Sequence, residues 1–146
     1  MRLLLLCTFP LLAACAPTDP LVAMRADIKD LEARSEHKEP GIEVQHVLIA
    51  FQGADRATVT RTKEEAEKLA AEVLARARAG EDFKALMKEC SNDPGPGTYP
   101  MTKATRGGMV AGFGNVGWRL QVNQLGVAPY EPKVSPFGWH VIKRIK

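Results

Sequence analysis

The period of the apolar positions changes along the chain, and each change marks an element. Residues 1–15, MRLLLLCTFPLLAAC, are apolar almost throughout. Leu21, Met24, Ile28 and Leu31 then recur at spacings of three and four on a polar background. Such spacing puts a narrow apolar seam on one side of a short helix. Asp19-Pro20 supplies its start, because aspartate caps and proline suits the first helical position. Glu39-Pro40-Gly41 ends the segment. From Ile42 to Phe51 the chain is rich in β-branched residues, the mark of a strand. Ile42, Val44, His46 and Leu48 share parity, so a pleated strand points them to one face. A histidine on a buried face needs partners for its ring nitrogens.

Gln52 to Arg56 reads as a loop. Thr62-Lys63-Glu64-Glu65 has capping-box spacing, and Ala66, Leu69, Ala70, Val73, Leu74 and Ala77 form an amphipathic stripe behind it. Gly80 closes that helix and Asp82 opens another, with Phe83, Leu86, Met87 and Cys90 on its inner side. Ser91 to Gly97 breaks the pattern. Residues 95–112 read as a loop, Phe113 to Leu120 as a short helix, Tyr130 to Val134 as a strand, and Trp139 to Ile145 as a terminal strand. A strand, then helices, then strands predicts an α+β fold with an antiparallel sheet.

Composition narrows the function classes. The chain has 146 residues, 45% hydrophobic and 25% charged, with net charge +3 and pI near 8.8. It is too apolar for disorder, and its charge is too weak for a nucleic-acid partner. From Pro94 onward there are seven Lys/Arg and one acid, Glu131. The default reading of that imbalance is a solvated face, and Lys143, Arg144 and Lys146 guard a strand end.

Arg2 ahead of the first apolar run marks a secretory signal, too short and too broken by Pro10 to span a bilayer well. Its ending, Leu12-Ala13-Ala14-Cys15, resembles the bacterial lipoprotein signal. The resemblance implies a signal peptide over residues 1–14 and lipidation of Cys15; the alternative is a plain signal peptide cleaved nearby, with Cys15 incidental. Ala16 after the cysteine resembles outer-membrane sorting in double-membraned bacteria. Cys7 is then lost and Cys90 stands alone, a small apolar side chain rather than half of a disulfide. By the same resemblance residues 15–40 are expected to be a lipidated N-terminus and helical spacer. That helix either packs weakly on the body as a tether or offers its seam to a partner.

The body, 41–146, resembles a parvulin-type peptidyl-prolyl cis/trans isomerase. Val44-Gln45-His46-Val47-Leu48-Ile49 opens it and Phe137-Gly138-Trp139-His140-Val141-Ile142-Lys143 closes it. Gly80-Glu81-Asp82-Phe83, Cys90-Ser91-Asn92-Asp93-Pro94, and Met109-Val110 with Phe113 lie between them in family order. The resemblance implies a four-stranded antiparallel sheet wrapped by helices, a parvulin/FKBP-like fold. It also implies a catalytic set of His46, Asp93 and His140. Met109, Phe113, Trp118 and Ser135 are implied around the substrate, with Ser135 supporting the second histidine. The usual Gly-Gly-Asp-Leu-Gly stretch is missing, and Pro94–Gly108 is remodelled. No Lys/Arg cluster follows His46, where Ala50 and Phe51 stand, which argues against phosphate selection.

The activity implied is rotation of X–Pro bonds in unfolded or partly folded polypeptides outside the cytoplasm, at a lipid-anchored site. The alternative is a non-catalytic chaperone or peptide-binding module using the same groove. No cofactor or metal is expected, since His46, Asp93 and His140 lack compact ligand spacing. Two strand histidines are also what a hydrogen-bonded scaffold looks like, and Asp93 before Pro94 is also what a turn looks like. Gly112-Phe113-Gly114-Asn115-Val116-Gly117 fits a dinucleotide fingerprint, but no strand, long helix and distant acid frame it.

Overall fold

A computed structural model describes residues 19–146. The expected signal peptide and Cys15 lie outside them. Asp19 Oδ1 accepts from the Leu21 and Val22 amides, and Pro20 begins α1 (Pro20–Glu32). Thr62 and Glu65 exchange the two bonds of a capping box at the start of α2 (Lys63–Arg78). Asp82 caps α3 (Phe83–Cys90). Between these two helices Gly80 takes φ +98°, a conformation that glycine adopts without a Cβ clash. The fourth helix, α4, is Ala111–Arg119.

Four strands complete the fold: β1 (Gly41–Ile49), β2 (Thr98–Thr102), β3 (Leu125–Ala128) and β4 (Trp139–Arg144). They form one antiparallel sheet in the order β2-β1-β4-β3. The first and last strands are thus the central pair, with His46 opposite Ile142 and Leu48 opposite His140. This register puts both imidazoles on one face, one step apart on the diagonal. The other face, with Val47, Ile49, Trp139 and Val141, packs on α2 and α3.

Four expectations are corrected. The stretch 95–112 contains β2, an edge strand that pairs with β1 and carries Pro100 opposite Glu43. Proline lacks a ladder donor, and an edge strand tolerates that. Tyr130–Val134 is not a strand. Pro129 and Pro132 remove two donors, and the Glu131 carboxylate accepts from the Lys133 and Val134 amides to close a turn. The fourth strand of the sheet lies just before it, at Leu125–Ala128, masked by Gly126. A Cβ there would meet Leu31 Cδ2 at 2.7 Å and Leu120 Cδ2 at 2.9 Å, so both leucine tips pack into the space the glycine leaves.

Helix α1 is no loose tether. Met24 and Leu31 are buried, Arg25 pairs with Glu67, and Asp27 pairs with Arg78 of α2. Arg144 does not guard an exposed strand end. It is buried, with Nη1 donating to the Leu120 carbonyl at 2.8 Å and Nε to the Lys146 carbonyl at 2.8 Å.

Candidate active site

The segment after α3 is bound to β1 by its own side chains. The Leu48 amide donates to Ser91 Oγ, and the Ala50 amide donates to Asn92 Oδ1. The Asn92 amide donates to the Leu48 carbonyl and the His46 amide to the Gly97 carbonyl. Arg61 Nη1 bridges Asn92 Oδ1 and the Ala50 carbonyl. A Ser-Asn pair therefore satisfies strand donors that no neighbouring strand reaches, and the next residue, Asp93, is carried over His46.

Asp93 Oδ2 faces His46 Nε2 at 2.9 Å and accepts from the Tyr99 hydroxyl at 2.7 Å, while Oδ1 accepts from the Gly95 amide at 3.1 Å. The bond to His46, then those from Tyr99 and Gly95, hold this carboxyl well below the usual carboxylate range against the opposing effect of burial. An ionised Asp93 only accepts, so His46 Nε2 carries a proton. His46 Nδ1 meets His140 Nδ1 at 3.1 Å with the rings stacked 14° apart. One proton is shared across that contact, since a hydrogen bond between two ring nitrogens needs one donor and one acceptor. His140 Nε2 is buried and has no hydrogen-bond partner. Burial, helped by His46, pulls the His140 pKa down to about 3, so the ring stays neutral. The three side chains face one another rather than a shared vacant point, an arrangement suited to a field and not to metal ligation.

Above them is a hollow of about 170 Å³ lined by His46, Leu48, Asp93, Tyr99, Met109, Phe113, Phe137 and His140, among others. Phe113 stands edge-on to His46 at 4.9 Å between ring centroids, and Tyr99 does so at 5.4 Å. Tyr99 and Phe113 are themselves perpendicular at 6.0 Å. The result is a small apolar recess with one fixed negative charge at its edge. A larger cavity of about 320 Å³ lies between α1, α4 and the end of β3, lined mostly by aliphatic side chains and away from both imidazoles.

His46, His140, Asp93, Met109 and Phe113 therefore come together where the sequence puts them. Trp118 and Ser135 do not line the hollow. Trp118 is buried in the core below α4, under the Arg106 guanidinium at 5.0 Å, because it follows Phe113 by five residues and so leaves that side of the helix. The buried Ser135 hydroxyl donates to the Gly138 carbonyl at 3.2 Å and makes no bond to His140. Tyr99 and Phe137 are missed by the sequence reading. Leu48 had a signal, its parity with His46; Tyr99 had none while β2 read as a loop.

A family profile for the PPIC-type PPIASE domain matches residues 27–145. The foldase protein PrsA 4 of Bacillus cereus is 31% identical over 123 residues, covering 83% of this chain and 37% of that protein. The chaperone SurA of Pseudomonas fluorescens is 32% identical over 111 residues, covering 70% of this chain and 22% of that protein. The chain thus spans about a third or less of the length of these relatives. Among solved structures, the peptidyl-prolyl isomerase ESS1 from Candida albicans superposes with a TM-score of 0.63 at 19% identity. That match covers 86% of this chain and 74% of the other, and shows a shared fold.

Proposed function

We propose, from the premise that this chain belongs to the PPIC-type peptidyl-prolyl isomerase family, that it catalyses cis/trans isomerisation of X–Pro bonds in polypeptides. The observation that carries this reading is the apolar hollow set against an ionised Asp93 and two hydrogen-bonded imidazoles. An X–Pro bond turns over a barrier of about 18–20 kcal/mol because the twisted state loses amide resonance. Resonance moves electron density onto the carbonyl oxygen. A fixed negative charge near that oxygen opposes the shift and lowers the double-bond character. The recess of Met109 and Phe113 takes the proline ring and excludes water, which strengthens the effect of the charge. Binding the twisted amide better than either planar form then accelerates rotation with no covalent step. A gain of 10³ to 10⁶ asks for roughly 4–8 kcal/mol.

In this reading Asp93 acts on the amide, while His46 and His140 orient it and set the local field. Trp118 and Ser135 belong to the scaffold. Residues 41–146 carry the activity, with the helix at 20–32 packed on them. The chain is secreted through residues 1–14 and held at a membrane by lipid on Cys15. Its partners are unfolded or partly folded polypeptides that contain proline. The apolar start ending in Leu12-Ala13-Ala14-Cys15 supports the anchor, and the foldase relatives support the clients.

A protease-coupled assay on an X–Pro peptide tests the activity. The protein should accelerate isomerisation, and Asp93→Ala and Phe113→Ala should each cut kcat/KM more than tenfold. Suppressed aggregation of a client with no turnover would replace the enzyme by a chaperone. Fatty-acid labelling that persists in Cys15→Ser would remove the anchor.

A further inference from the structure

We infer that Tyr99 is a positioning residue, its hydroxyl fixing the Asp93 carboxylate while its ring walls the hollow. The inference rests on the isomerase reading for its kinetic consequence and on geometry alone for the clamp itself. Tyr99 lies opposite Val44 in the β1–β2 register, which places it on the face that carries His46. Its hydroxyl donates to Asp93 Oδ2 at 2.7 Å, the same oxygen that meets His46 Nε2. The Gly95 amide holds the other oxygen. With donors on both oxygens, the carboxylate cannot rotate without breaking a bond.

The turn between Asp93 and Tyr99 is shaped for this contact. A Cβ on residue 95 would lie 2.1 Å from the Tyr99 hydroxyl oxygen and 3.3 Å from both Asp93 oxygens. Only glycine leaves room for the phenol to reach the carboxylate, and Gly95 does not have positive φ, so the requirement there is space alone. Gly97, at φ +69°, then reverses the chain, and its carbonyl accepts from the His46 amide at 2.9 Å. Prolines 94 and 96 stiffen the path. The Pro94–Gly108 stretch that departs from the family pattern thus returns a strand whose tyrosine meets the acid at the start of the turn. The phenol stays a donor across the working range, since burial and Asp93 push its pKa up to about 12.

Several charged groups surround Asp93. His46 faces it from β1, His140 lies behind His46 on β4, and Tyr99 comes from β2. Lys84 and Lys88 of α3 share a cavity with it on one side, and Asp55 and Arg56 share one on the other. Only His46, Tyr99 and the Gly95 amide make hydrogen bonds to the carboxylate.

Two substitutions separate hydroxyl from ring. Tyr99→Phe keeps the wall and removes the anchor; Gly95→Ala keeps the tyrosine and pushes its hydroxyl away. Tyr99→Phe should leave KM within about twofold; both should lower kcat by about tenfold and raise the acid limb of kcat by about one pH unit, the effect of losing one charge-assisted bond. Tyr99→Ala should raise KM as well. Carbon-13 NMR of the Asp93 carboxyl should show its titration moving upward in Tyr99→Phe and Gly95→Ala. An active wild type whose Tyr99→Phe form keeps both kcat and carboxyl titration overturns the inference. If the wild type turns over no peptide, the isomerase reading fails by itself. The carboxyl titration still decides the clamp, an upward move supporting it and no move overturning it.

Discussion

On one face of the sheet, Val47, Ile49, Val127, Trp139 and Val141 meet Ala70, Val73 and Leu74 of α2 and Leu86 of α3. On the other, Ile42, Val44, Ala128 and Ile142 begin a similar core against α4, but His46 and His140 interrupt it. All the buried titratable side chains among the described residues, His46, His140 and Arg144, lie on this second face by strand alternation. The same four strands thus serve a stabilising side and a chemical side, and the difference lies in alternate residues. Burying a polar group costs free energy unless it is paired. On the second face Asp93, Tyr99 and main-chain carbonyls supply most partners, yet His140 Nε2 and Trp118 Nε1 have none. The first face carries no such unpaired buried atom among the described residues.

The largest effect should come from the stabilising side. Leu86 is fully buried against β1 and α2. Leu86→Ala should lower unfolding free energy by about 2–5 kcal/mol, the range for a cavity in a close-packed core. Urea denaturation reads this loss. Turnover per folded molecule should not change, because the cavity opens away from the hollow. A matching loss of kcat/KM in the folded fraction would mean that the two faces are not separable.

Next comes His140. Its folded pKa is about 3 against 6.5 for the free side chain, so burial disfavours its cation. Above about pH 6.5 both folded and unfolded chains hold it neutral, and its contribution to stability is constant. As pH falls from there toward about 3, the unfolded chain takes up a proton that the folded chain refuses. Stability should then fall by up to about 1.4 kcal/mol per pH unit. His140→Leu should flatten this slope between pH 6.5 and 4.5, where surface carboxylates still contribute little. Equal slopes in the two proteins would show that His140 is charged in the fold.

Asp93 should show the opposite chemistry in a lower window and to a smaller extent. Its carboxyl is depressed from the ordinary 3.8 by the bonds from His46, Tyr99 and Gly95. The stability it adds is present above about pH 4 and is lost as pH falls further toward the folded value. At pH 6 the wild type should exceed Asp93→Asn by about 1 kcal/mol, discounted for partial solvent contact. Below pH 4 the two denaturation curves should converge. A constant gap down to pH 2 would place the stabilisation elsewhere.

The two faces were unequally legible in the sequence. The capping box at Thr62, the cap at Asp82 and the strands at 42 and 139 follow from local chemistry, which needs no knowledge of neighbours. His46 and His140 share a face because both central strands alternate, and both strands were legible from their own apolar runs. β2 was unreadable because Pro100 and the glycines around it look like a loop; only an edge position makes that sequence a strand. Gly126 hid β3, since one of the side chains that pack into its place, Leu31, lies almost a hundred residues earlier. Arg144 looked like a surface charge because its hydrogen bonds go to main-chain carbonyls, which no side-chain pattern announces. Tyr99 needed β2, and so the residue that links the remodelled turn to Asp93 emerged only in three dimensions.

Trp118 is where the smallest effect is expected, and it sharpens the boundary of the chemical side. Its ring is buried under Arg106, and its indole Nε1–H is buried with no acceptor. Trp118→Phe removes apolar area and weakens the stacking of the guanidinium, which is destabilising. It also removes the orphaned donor, whose burial costs about 1–3 kcal/mol. These oppose each other, so stability should change by no more than about 1 kcal/mol. Because Trp118 faces the core and not the hollow, KM for an X–Pro peptide should stay unchanged. A raised KM at constant stability would move Trp118 into the wall of the hollow, and the chemical side would then extend through the whole length of α4 rather than end at Phe113.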